Sequence, residues 1–112
     1  MPLNRTEILD QLFTNAERFM AEMVEKHGQF TNLSLLRKMA QEQQIAYIDL
    51  LYSFRDTSNR SPFNATHQEI GGRIYNVAVK AGYERDDNLD TIGSDIFGNP
   101  SKEKVYRPKQ LV

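Results

Sequence analysis

The sequence predicts a mainly α fold, α-rich α+β: a three- to four-helix compact domain with a short C-terminal β-hairpin. Three observations carry that expectation. Apolar residues recur at intervals of three and four across residues 6–27 and again from Ile70 to Ala81. No glycine or proline interrupts residues 32–55. Near the C-terminus, Gly98-Asn99-Pro100-Ser101 reads as a turn, and Lys104-Val105-Tyr106-Arg107 alternates as a strand does before Pro108 ends it.

Residues 6–27 form the first expected element, one long amphipathic helix. Leu9, Leu12, Phe13, Ala16, Phe19, Met20, Met23 and Val24 make a wide apolar stripe. Asn4 or Thr6 suits its start, and Gly28 suits its end after Lys26 and His27, cations that match the negative helix terminus. The stripe is broad enough for two helices, or for one helix and a partner subunit, so a homodimer is expected. The second element, residues 32–55, is one bent helix or two short ones. The apolar face set by Leu36, Met39 and Ala40 shifts at Ile45, which favours a break near Gln43. Residues 55–62 are polar turn-formers closed by a proline.

The third helix is expected over 66–81. Thr66-His67-Gln68-Glu69 has the spacing of a capping box, with Phe63 before it as an anchor for Ile70. Ile70, Ile74, Val77, Ala78 and Ala81 then keep a helical period, and Gly82 is the residue expected just past a helix end. Two consecutive glycines, Gly71 and Gly72, cost this helix about 1–2 kcal/mol relative to alanines. Such a pair admits close approach of another helix, tight packing on the first helix foremost, or of a partner molecule. After Gly82 the chain is polar and acidic to Asp90, and the hairpin is expected within 91–107.

With 112 residues the chain is expected to be one domain, 1–112, with a core of its own. Its 39% hydrophobic and 26% charged content is ordinary for a globular protein. The absence of cysteine excludes disulfides, thiolate metal sites and a cysteine nucleophile, and fits a reducing compartment. No apolar run approaches the roughly 18 residues that span a bilayer, and Met1 to Arg5 lacks the apolar core of a signal peptide. A cytoplasmic location without membrane contact is expected.

Chemistry-bearing constellations are scarce. His27 and His67 are the only histidines, and neither has a second ligand at metal spacing. Asp86, Asn88 and Asp90 alternate as calcium ligands do, but Thr91 and Phe97 stand where an EF-hand needs glycine and glutamate. There is no phosphate-cradling glycine loop and no nucleophile motif. The expectation is a non-enzymatic protein with no cofactor and no metal.

Net charge is −1, unevenly spread: residues 86–100 hold four aspartates and no cation, while Lys102, Lys104, Arg107 and Lys109 face Glu103 alone in 101–112. Two nucleic-acid-binding arrangements follow. Leu36-Arg37-Lys38-Met39-Ala40, then Ile45, then Leu50-Leu51-Tyr52-Ser53-Phe54 resembles the helix-turn-helix of tetracycline-repressor-type regulators, over about 50 residues counting the preceding helix. That resemblance implies duplex DNA as partner. It departs from the family at Gln43 and Gln44, where a turn glycine is expected, and in the short remainder of the chain. The second arrangement is a winged helix, with helix 66–81 as reading helix and the hairpin as wing. Arg55, Arg60, Arg73, Asn76, Lys80, Lys102, Lys104 and Arg107 are the candidate nucleic-acid contacts. The alternative is a protein-interaction module, such as an inhibitor or accessory protein of a mobile element, using Tyr47, Gly71 and Gly72 against a protein partner.

Overall fold

A computed structural model of the protein describes residues 4–56, 61–94, 98 and 100–109. Within them the chain forms α1 (Arg5–Leu12), α2 (Ala16–His27), β1 (Phe30–Thr31), α3 (Asn32–Glu42), α4 (Gln44–Ser53), α5 (Pro62–Lys80), β2 (Tyr83–Ser94) and β3 (Pro100–Pro108). The α-rich α+β class holds, with a three-stranded antiparallel sheet ordered β1-β3-β2.

The long helix expected over 6–27 is two. Asn4 caps α1 by accepting from the Glu7 amide at 2.8 Å. The Thr14 hydroxyl then donates to the Gln11 carbonyl at 2.8 Å, and Asn15 stands as the N-cap of α2. Short polar side chains compete for backbone groups in this way and break helices that apolar periodicity alone would continue. α2 stops at Gly28, whose φ of 78° is the left-handed end geometry that glycine adopts without strain.

At the head of α3 Thr31 and Ser34 form a capping box: each side chain accepts from the other's backbone amide at 3.0 Å. Gln43 separates α3 from α4 with an extended φ of −126°. The break turns Ala46, Tyr47 and Leu50 inward and leaves Ile45, Ile48 and Tyr52 outside.

α5 begins four residues before the expected start. Ser61 caps it, accepting from the Asn64 amide at 3.0 Å, and Pro62 occupies its first position, where a missing N–H is harmless. Thr66 is therefore no cap. It lies fully buried in the second turn, its hydroxyl donating to the Pro62 carbonyl at 2.7 Å. Phe63 lies inside the helix, not ahead of its cap, and meets His67 edge-on at 4.0 Å. Ile70, Ile74 and Ala78 are wholly buried and join Leu12, Phe19, Met20, Leu35, Met39 and Leu50 in one core. The α1–α2 stripe is thus covered within the monomer, which removes the reason to expect a partner subunit there.

The hairpin is longer than expected because the acidic stretch is itself strand. Tyr83 to Asp86 pairs with Pro108 to Val105, and Thr91 to Ser94 pairs with Glu103 to Pro100, with an irregularity between. The two-residue β1 adds to the other side of β3. Phe30 stacks on Tyr106 at 5.1 Å and meets Tyr83 edge-on at 5.2 Å, an aromatic contact shared by all three strands. Among the described residues no helix is long and apolar enough to cross a membrane.

Candidate nucleic-acid interface

One helix advances 100° per residue, so residues 64, 68, 71, 72 and 75 of α5 share a stripe. Its inner face is Ala65, Thr66, Ile70, Ile74 and Ala78; the stripe with Asn64, Gln68 and Gly72 faces out. Beside it a groove of about 450 Å³ opens between α5, the first turns of α3 and β3. Asn64, His67, Gln68, Gly71 and Gly72 line it from α5, Leu33 and Leu36 from α3, and Ser101 from β3. Asn32 locks two of these walls together, its side-chain carbonyl accepting from the Lys104 amide at 2.8 Å.

The expected close packing at the glycines is not what the structure has. A methyl group at Gly71 or Gly72 would meet nothing within 4 Å, so no helix approaches them. The bare backbone lies on an open groove.

His67 is held at the groove edge. Its Nε2 lies 2.7 Å from the Tyr47 hydroxyl, with the Tyr47 ring stacked 6.0 Å away. Burial pushes the Tyr47 phenol up to about 12, so it keeps its proton at neutral pH. A neutral imidazole that accepts this proton at Nε2 carries its own on Nδ1. Tyr47, expected at the surface as a partner contact, is only 8% exposed and belongs to the core.

The residues expected to meet phosphate do not share one face. Arg73 and Arg107 are engaged elsewhere in the fold. Arg73 lies about 140° round α5 from Gln68 by the helical repeat. It pairs with Asp10 and covers the Phe13 ring at 5.2 Å, clamping α5 to the α1–α2 corner. Arg107 sits 3.4 Å from the Asp86 carboxylate, within the sheet. Arg55, just past α4, lies over the Tyr52 ring at 4.7 Å, pairs with Asp56 at 3.5 Å and does not line the groove. Lys102 is exposed and Lys104 half-buried, one and three residues past Ser101 on β3, on the strand face opposite it. Asn76 and Lys80 are exposed, but at 80° and 120° from Gln68 by the same repeat they face away from the groove. Arg60 lies outside the described residues.

His67 and Gln68 fell within the expected capping box and Asn64 ahead of the expected helix, which hid all three as groove residues. Ser61-Pro62 was the available signal, since serine before proline starts a helix as well as Thr66 does. Among the described residues no cluster of three or more metal-ligating side chains occurs. No protein-family model, no curated protein and no solved structure matches this chain.

Proposed function

We propose that this protein binds duplex DNA as a winged helix, with α5 as the helix that enters the groove of the duplex and the β2–β3 hairpin as the wing. The single observation that carries the reading is the uncharged, hydrogen-bonding groove face of α5. Asn64 and Gln68 stand one turn apart on it, followed by two glycines over open space. Base edges are read by such groups, while phosphates are met by cations at the flanks. Lys102 and Lys104 on the wing strand supply that flank. The order α2-β1-α3, then α5-β2-β3 with strands ordered β1-β3-β2, suits a wing beside a reading helix. α4 does not suit the helix-turn-helix alternative, since its outward side chains Ile45, Ile48 and Tyr52 are apolar.

The test is fluorescence anisotropy with a labelled duplex of mixed sequence. Binding is expected to weaken with salt at a slope near −2, because about two lysines displace counterions. Replacing Lys102 and Lys104 by glutamate should abolish it. Absence of any binding at low salt would remove this reading.

A second reading rests on a separate observation. Ile45, Ile48 and Tyr52 are 77%, 60% and 64% exposed and follow one another at intervals of three and four along α4. A row of large exposed apolar side chains marks a contact face, and the exposed Asp49 lies at its edge. We propose a second copy of the chain as the cover. Antiparallel pairing about a two-fold axis near Ile48 sets Ile45 against the partner's Tyr52 and Arg55 near the partner's Glu42. Parallel pairing would set Arg55 on its own counterpart.

A further inference from the structure

Resting on the duplex-binding reading above, we infer that α5 is an adenine reader, with Asn64 and Gln68 each addressing an A·T pair from the major groove. Both side chains are exposed on the groove side of α5, four residues and one helical turn apart. A carboxamide holds an acceptor oxygen and a donor nitrogen in one plane. That pair matches adenine, which offers the N6 amino donor beside the N7 acceptor on its major-groove edge. Guanine presents two acceptors there and calls for arginine or lysine; cytosine presents a donor and calls for a carboxylate. The described residues that line the groove include no arginine, lysine, aspartate or glutamate. The nearest arginine on α5, Arg73, is turned away and paired with Asp10.

The neighbours of the two amides favour the same assignment. His67 spends Nε2 on the Tyr47 hydroxyl at 2.7 Å, so it acts as a strut for this turn of α5. Gly71 and Gly72 come next on the same stripe, with nothing within 4 Å of where a side chain would begin. A low backbone there lets α5 sink toward the base edges and leaves room for the thymine methyl group opposite each adenine.

The experiment compares four duplexes of equal length at one low salt concentration, by anisotropy: A·T-rich, G·C-rich, the G·C-rich duplex with inosine for guanine, and the A·T-rich duplex with 7-deazaadenine. The A·T-rich duplex is expected to bind at least about tenfold tighter than the G·C-rich one, since a good bidentate pair discriminates by roughly 5- to 150-fold. Deazaadenine, which lacks the N7 acceptor, should forfeit that advantage. So should Asn64→Ala and Gln68→Ala, each lowering the A·T over G·C preference by about tenfold with unaltered thermal melting. Equal binding of A·T-rich and G·C-rich duplexes would overturn the assignment and leave duplex binding standing. Inosine binding as well as A·T would also overturn it, because inosine changes only the minor-groove edge. Failure to bind any duplex would instead bring down the parent reading.

Discussion

The Tyr47 hydroxyl lies 2.7 Å from His67 Nε2, joining the buried face of α4 to the groove edge of α5 across 20 residues of sequence. Removing the hydroxyl with Tyr47→Phe should cost about 1 kcal/mol of stability, the usual worth of such a bond. Alkali gives a second readout. The folded phenol is raised from 10.0 to about 12 by burial. The unfolded chain therefore ionises first, and stability present in full below pH 10 is lost as pH climbs toward 12. Urea unfolding across that window should show wild type falling more steeply than Tyr47→Phe; parallel curves would contradict the burial of the phenol.

Gly71 and Gly72 face open space, so their replacement by alanine tests stability and binding in opposite directions. Each methyl group fits without a clash and removes backbone freedom from the unfolded chain. Gly71→Ala and Gly72→Ala should each stabilise by up to about 1 kcal/mol, raising the melting temperature by a few degrees. Gly72→Phe should fold as well and bind duplex far more weakly, because the ring stands where the duplex must approach. A destabilised Gly72→Ala variant would contradict the open groove.

Arg73 belongs to the fold and not to the groove. Its pair with Asp10 is partly exposed, at 30% and 59% of the side chains, so water screens it. Arg73→Met should cost about 1 kcal/mol or less, with the loss shrinking in high salt. Its affinity for duplex should match wild type. A large binding defect in a well-folded Arg73→Met protein would show that this arginine reaches the ligand after all.

Helix stops at glycine were legible, and so was the Asn4 cap of α1, but the start of α5 was not. Gly28 and Gly82 adopt left-handed backbone, at φ 78° and 95°, and a glycine after an apolar period says so in one letter. The start of α5 depends on which of two small polar residues does the capping. Thr66 and Ser61 both qualify locally, and only the burial of Thr66 beneath the core decides for Ser61. That five-residue ambiguity hid the site, because Asn64 and Gln68 share an outward stripe only once the helix includes them. The break at Thr14 was similarly masked by an unbroken apolar period. Partners distant in sequence were invisible: Arg73 looks like a solvent cation until Asp10 arrives from 63 residues away. β1, with two residues, is too short to carry an alternating pattern.

The outward stripe of α4 makes the last prediction. α4 has ten residues, so a helix-to-helix seam along it is about 15 Å long. It covers less than the roughly 800 Å² per partner of a standard stable interface. Self-association should accordingly be weak, with sedimentation showing a monomer at low protein concentration and a dimer emerging as concentration rises. Ile48→Glu places a charge at the centre of the seam and should hold the protein monomeric throughout. Its folding stability should change by no more than about 0.5 kcal/mol, because the side chain leaves an already exposed site. Arg55→Glu should weaken the dimer, and adding Glu42→Arg should restore it if the helices run antiparallel. A wild-type protein that sediments as a monomer at every concentration would leave the stripe without this partner.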